Sequence, residues 1–121
     1  REQLIQVGLK PGEAGFFSRA IVNRLWHRFM GYGLVMPLDQ MHGANPPSHP
    51  ELLGWLARDF AGNDYDLRRI IRGLVLSNTY ARDSRWRSGE RPSPVYFAVA
   101  RPRALTPTQY GSALEIGRAH V

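Results

Sequence analysis

Residues 16–30, FFSRAIVNRLWHRFM, carry the pattern that decides the fold. Large apolar side chains recur every four residues at Phe17, Ile21, Leu25 and Phe29, and neighbouring apolar residues widen this stripe. Apolar residues at this spacing lie on one face of an α-helix. Two glycines shortly after the segment end the pattern. The sequence therefore predicts an amphipathic helix whose apolar face packs into a core.

A second helix is predicted to follow the polar, proline-rich loop of residues 39–50. Ser48 and Glu51 have the spacing of a capping box, in which the serine caps the helix and the glutamate returns to the serine amide. Pro50 suits the first turn, where its missing N–H costs no hydrogen bond. The apolar face of this helix consists of Leu52, Leu53, Leu56 and Phe60.

Two more helices complete the predicted fold. Asp66 is expected to cap the third helix, because it directly precedes apolar residues with helical spacing. These residues are Leu67, Ile70, Ile71, Leu74 and Val75. Thr106 and Gln109 form a second capping-box pattern around Pro107, which predicts a short fourth helix. We therefore expect an all-α domain with three main helices, a truncated fourth helix and long ordered loops.

Composition excludes several classes of protein. Hydrophobic residues make up 43% of the 121 residues, which is enough for a core and argues against disorder. The absence of cysteine excludes disulfides, thiolate metal sites and a cysteine nucleophile. No apolar run is long enough to span a bilayer. The net charge of +6 fits a nucleic-acid or acidic-polymer partner, but the strong bias towards arginine favours a GC-rich genome as its cause.

The last six residues, Ile116–Val121, match the translation of a widely used sequencing adapter, ATC GGA AGA GCA CAC GTC, and the chain stops at the adapter's own stop codon. Foreign segments have to be excluded before the fold is interpreted. We therefore expect residues 1–114 to be a fragment of one helical domain and residues 115–121 to be adapter read-through. On this hypothesis the fourth helix loses order near residue 115 and leaves an exposed apolar patch. That patch comprises Leu105, Tyr110 and Leu114.

Four stretches of the chain resemble a known family, planctomycete secreted domain one, which is also called domain of unknown function fifteen-fifty-three. They are residues 17–39, residues 45–53 with the long and specific string NPPSHPELL, residues 65–80, and residues 103–109. Their order and spacing agree with the family over essentially all of residues 1–114.

The resemblance implies a domain context and a location, but it implies no particular reaction. Domains of this family typically close large exported bacterial proteins, follow a partner domain and often accompany a c-type cytochrome-like module. They are frequently encoded near sulfatases and carbohydrate-active enzymes. The resemblance implies an exported or periplasmic location, haem only in an upstream domain, and no cofactor within residues 1–114. The implied partners are other domains of the same chain and an anionic polysaccharide.

Five positions in the family motifs are candidate site residues: Asn23, Arg24, Asp39, Asn45 and His49. Because a guanidinium suits bidentate pairing with a carboxylate, Arg24 is predicted to contact Asp39. We favour a buried or half-buried bridge that fixes the loop on the first helix over a ligand-binding arginine. No catalytic residue is assigned.

Two other clusters have both a functional and a structural interpretation. The histidines and carboxylates of residues 39–51 include metal-ligand types, but Glu51 is explained by the helix cap and no metal-binding spacing such as HExxH is present. We favour a structural loop and assign no metal ligands. The candidate anion-binding residues are Arg68, Arg69 and Arg72. A solvated helix face is the favoured interpretation of these arginines.

Three hypotheses about function remain at this point. The first is a non-catalytic structural or interaction module of an exported multidomain protein, linked to polysaccharide handling or to a c-type cytochrome partner. The second is an enzyme domain whose site, formed by Arg24, Asp39, Asn45 and His49, is completed by a partner domain. The third, which is less favoured, is a basic helical domain that binds nucleic acid.

Overall fold

The computed structural model describes residues 15–119 and consists of helices joined by long loops. The α-helices are α1 (Gly15–Met30), α2 (Pro50–Gly62), α3 (Leu67–Val75) and α4 (Pro107–Ala119). A short 3-10 helix spans Pro94–Tyr96. The described residues contain no β-strand, and a single isolated bridge joins His42 to Asn45. The prediction of an all-α domain with four helices is therefore confirmed, but the fourth helix has 13 residues and is not truncated. None of the described helices has the length and apolar character needed to cross a membrane.

The core lies where α1, α2 and α3 meet. Helix α1 packs along α2 and also touches α3. The helical side chains buried in this core are Val22, Trp26, Met30, Leu53, Leu56, Phe60, Ile70 and Leu74. Each large apolar side chain that is fully buried contributes about 1.5–3 kcal/mol, so this cluster is the main source of the domain's stability.

The deepest row of α1 consists of residues that were predicted only to widen the stripe. Val22, Trp26 and Met30 are buried, whereas the stripe residue Phe17 is 44% exposed. The other predicted stripe residues, Ile21, Leu25 and Phe29, are only partly buried and flank the core. The difference arises because α2, α3 and the following loop contact adjacent faces of α1, which moves the centre of the buried arc.

The loop after α1 is held inside the domain although it forms no strand. Gly31, with φ of +78°, ends the helix in the left-handed conformation that favours glycine, and its amide donates to the His27 carbonyl. Leu34 and Val35 then enter the core with 2% and 1% exposure. Leu34 and Val35 thus lie in a buried bend of the loop.

The predicted capping box at the start of α2 is wrong. The N-cap residue is His49, which forms no side-chain cap hydrogen bond, and Pro50 follows in the first turn. The amide and the hydroxyl of Ser48 both donate to the Leu34 carbonyl, at 2.8 and 3.1 Å. Because Ser48 donates to this buried carbonyl, it does not cap α2. Glu51 therefore has no capping partner, and its side chain is exposed.

The caps of the next two helices agree with prediction. One carboxylate oxygen of Asp66 accepts from the amides of Arg68 and Arg69 at 2.9 and 3.1 Å. Thr106 and Gln109 form the reciprocal capping box, with distances of 3.0 and 3.3 Å between side-chain oxygens and amides. Helix α2 ends at Gly62 with Asn63 as its C-cap, and the next two residues, Asp64 and Tyr65, are left-handed.

Helix α4 leaves the three-helix core with its apolar side chains uncovered. Leu105, Tyr110, Leu114 and Ile116 are each more than half exposed. The predicted apolar patch is therefore present. The expected loss of order near residue 115 is wrong, because the helix continues to Ala119. The weak segment before Gly15 and the last two adapter-like positions lie outside the described residues.

Candidate functional site

The candidate site residues lie on α1 and in the loop that follows it, and Arg24 and Asp39 form the predicted contact. Arg24 Nη2 donates to Asp39 Oδ1. The two side chains remain 60% and 79% exposed, so the predicted burial of this bridge is wrong. Because the loop carries Asp39 along the outer edge of α1, both charges stay hydrated. An exposed pair of this kind contributes about 0–1 kcal/mol.

Asn23 is a buried structural residue. Its side-chain oxygen accepts from the Val35 amide at 3.0 Å, and its side-chain nitrogen donates to the Val35 carbonyl at 3.0 Å. The side chain is completely inaccessible to solvent. The Asn23 side chain therefore supplies hydrogen-bond partners for both backbone groups of buried Val35. In helices and sheets, other backbone groups supply these partners.

The Asn45 side chain also binds loop backbone, further along the loop. Its side-chain nitrogen donates to the carbonyls of Met36 and Gln40, at 3.2 and 2.8 Å. The His42–Asn45 backbone bridge closes the turn between these points. Asn45 and Ser48 thus bind loop backbone, and this use of the motif side chains indicates an ordered structural loop.

His49 does not face the other candidate residues. Its Nδ1 lies 3.1 Å from the Ser48 hydroxyl, and its ring packs against Phe97 with centroids 5.7 Å apart. A cleft of about 570 Å³ beside the loop includes Asn45 in its wall, but Arg24, Asp39 and His49 do not line it. The structure therefore does not assemble the four-residue enzyme site. Among the described residues, no three histidine or carboxylate side chains converge as metal ligands.

A larger open surface lies between α2 and α3, and we call it the α2–α3 groove. It has a volume of about 940 Å³. Its apolar lining consists of Trp26, Leu52, Trp55, Leu56, Ile70, Leu74 and Leu76. Trp55 is 58% exposed and Leu76 is 74% exposed, which is unusual for side chains of this size. Trp55 lies outside the predicted apolar row of α2. A large apolar side chain outside that row is the feature of the sequence that could have indicated the groove.

The three predicted anion-binding arginines border this groove together. Arg68, Arg69 and Arg72 all contribute to its wall. Arg69 Nη2 pairs with Asp59 Oδ1 at 3.0 Å across the groove, so its charge is partly neutralised. The basic residues are therefore the rim of an apolar surface and not an isolated basic helix face.

This helical architecture and groove define a small all-α domain built around a structural loop. The chain belongs to the PSD1 family of proteins of unknown function (DUF1553), whose family model matches residues 1–111. No curated protein and no solved structure was found to match the chain. The resemblance inferred from the four sequence stretches is thereby confirmed at the level of the family.

Proposed function

We propose that this domain is a non-catalytic interaction module of a larger exported protein, and that neighbouring domains of the same polypeptide cover the α2–α3 groove and the apolar face of α4. Through these contacts the domain is linked to a c-type cytochrome-like module or to polysaccharide handling. The proposal rests on two uncovered apolar surfaces and on the structural use of the loop side chains.

The exposed apolar face of α4 is the main observation that supports the proposal. Isolated helices of about 12–15 residues are marginal in water, and most helices gain their stability by packing an amphipathic face. The part of α4 that precedes the adapter-like residues, 107–114, is eight residues long, and its apolar side chains Tyr110 and Leu114 are exposed. A helix of this length and pattern requires a partner surface. Contiguous exposed apolar patches of this kind mark interaction sites.

The α2–α3 groove supplies a second surface with the composition of a protein interface. Such interfaces combine an apolar, aromatic centre with a polar rim. Trp55 and Leu76 form the apolar centre, and Arg68 and Arg72 lie at the rim. Charge complementarity then favours a partner segment with apolar side chains flanked by carboxylates. An anionic polysaccharide is the alternative partner that the same rim favours.

Trp55 provides the test, and Trp86 provides a matched control. Both tryptophans are exposed, but Trp86 lies in the long loop and does not line the groove. In the longer polypeptide, Trp55→Ala is expected to release this domain from its neighbours, so that limited proteolysis cuts the linker faster. Trp86→Ala is expected to leave the cleavage rate unchanged. Equal rates for Trp55→Ala and the unsubstituted protein would argue against the proposal.

A further inference from the structure

A small cleft at the end of α1 combines aromatic walls with two arginines. It has a volume of about 240 Å³. Its walls are formed by Phe29, Met30, Thr79, Tyr80, Phe97, Val99, Ala100, Arg101 and Arg103. We call it the Arg101 cleft. It lies apart from the loop of residues 39–51, and its arginines are not those that line the α2–α3 groove.

The two arginines of this cleft have unused hydrogen-bond donors. Within residues 15–119, neither Arg101 nor Arg103 forms an ion pair or donates a hydrogen bond. Arg101 instead stacks over the Tyr32 ring at 5.7 Å. A guanidinium group over an aromatic ring keeps its N–H groups available for hydrogen bonds. Both arginines line the same cleft, and guanidinium groups are suited to the oxygens of a carboxylate, sulfate or phosphate.

The arginines are held close to the end of α1 by tight packing. A Cβ atom placed on Gly31 would lie 3.0 Å from the Cβ of Arg101 and 3.7 Å from Cδ of Arg103. Gly31 therefore allows the arginine segment to approach the helix end. The segment is also anchored from behind, because Ala100 accepts from Arg91 at 3.2 Å and donates to the Asp83 carbonyl at 3.0 Å.

The aromatic walls are ordered and one of them is strained. Phe29 and Tyr80 meet edge to face with centroids 6.3 Å apart. Phe97 packs edge to face on Trp26 at 5.3 Å. Phe97 has a φ of +48°, a left-handed conformation that a phenylalanine adopts only at a cost in free energy. Strained residues of this kind cluster at ligand sites, where surrounding contacts hold them in place.

We propose that the Arg101 cleft binds a small organic anion, in which a carboxylate, sulfate or phosphate group is joined to a ring-sized body. The anionic group meets Arg101 and Arg103, and the ring lies against Phe29, Tyr80 and Phe97. The cleft is slightly smaller than common ligand pockets of about 300–1,000 Å³, which limits the ligand to a single ring. This site is independent of the proposed docking surfaces.

Binding is tested with probes that separate charge from ring. The probes are phenyl phosphate and glucose 6-phosphate, which carry both features, inorganic phosphate, which lacks the ring, and benzyl alcohol, which lacks the charge. Titrations are followed by amide chemical shifts. We expect phenyl phosphate or glucose 6-phosphate to bind at least about ten-fold more tightly than inorganic phosphate or benzyl alcohol, with shifts at residues 29–32, 79–80 and 97–103. The tighter of the two shows whether the body is aromatic or a sugar.

Substitutions then locate the site. Arg103→Gln is expected to weaken binding of the better probe by about ten-fold or more, because it removes a charge-assisted contact. Arg101→Lys keeps the charge but not the planar fork, and an intermediate loss is expected. Arg87→Gln, in the exposed loop, removes the same charge and is expected to change affinity less than about two-fold. An equal loss in Arg87→Gln and Arg103→Gln, or binding no tighter than that of inorganic phosphate, would overturn the proposal.

Discussion

The side chain of Asn23 forms two hydrogen bonds with the backbone of Val35, one to its amide and one to its carbonyl, each 3.0 Å long. This pair joins α1 to the loop that follows it. The Leu34 carbonyl in this loop accepts a hydrogen bond from the hydroxyl of Ser48, which precedes α2. A short chain of hydrogen bonds, buried at Asn23 and part-buried at Ser48, therefore links two of the three core helices through the loop between them.

Asn23→Ala is expected to destabilise the domain strongly. The substitution leaves a buried amide and a buried carbonyl without partners, and each such group costs about 1–3 kcal/mol. Urea denaturation gives the change in the free energy of unfolding. Asn23→Asp keeps the acceptor but removes the donor and buries a carboxylate beside the Val35 carbonyl, so we expect it to be destabilising as well. A change below about 0.5 kcal/mol for Asn23→Ala would contradict the structural role.

The Arg24–Asp39 pair is expected to matter little for stability. Both side chains are mostly exposed, and double-mutant cycles of exposed pairs typically give about 0.2–1 kcal/mol. A cycle of Arg24→Ala, Asp39→Ala and the double variant measures this coupling directly. The coupling should also fall as salt is added, because exposed charges are screened. A coupling of about 3 kcal/mol or more would instead require the buried bridge that the sequence suggested.

The helix caps give a contrast between two acidic residues. Asp66 accepts two amide hydrogen bonds at the start of α3, and Asp66→Ala is expected to cost about 1 kcal/mol. Glu51 has no capping partner, so Glu51→Ala is expected to remain within about 0.5 kcal/mol of the unsubstituted protein. Thermal unfolding of both variants distinguishes them. Equal losses of stability in the two variants would indicate that Glu51 forms a capping box with Ser48 after all.

The sequence predicted the helices well because helix signals are local. Asp66 and Thr106 cap the helices expected of them, since a cap requires only residues within one turn. Ser48 was misassigned because its partner, the Leu34 carbonyl, lies 14 residues away in the chain. The same reason explains Asn23, whose partner Val35 is 12 positions away.

The candidate site was harder to predict than the helices. Contact between Arg24 and Asp39 follows from charge and loop length, but their exposure depends on how the loop lies on α1. The α2–α3 groove depends on which helix faces remain uncovered after packing. Neither periodicity nor composition reports that Trp55 and Leu76 lie on the same open surface.

Removal of residues 115–121 is expected to have little effect on the isolated domain. The side chains of Glu115 and Ile116 are exposed, and they form none of the core contacts. Surface changes that break no specific interaction usually stay within about 0.5 kcal/mol. Urea denaturation of the shortened chain checks this value. A markedly larger loss would show that the terminal segment packs against the domain, contrary to the adapter hypothesis.

Hydrogen exchange tests the central claim, that neighbouring domains cover the α2–α3 groove and α4, most directly. The exchange rates of amides in α4 and along the groove are compared between the isolated domain and the longer polypeptide. Buried and packed helices exchange slowly, whereas helices with few packing contacts open readily. We predict that residues 107–114 and the amides near Trp55 and Leu76 exchange much more slowly in the longer polypeptide. The same rates in both proteins would contradict the account.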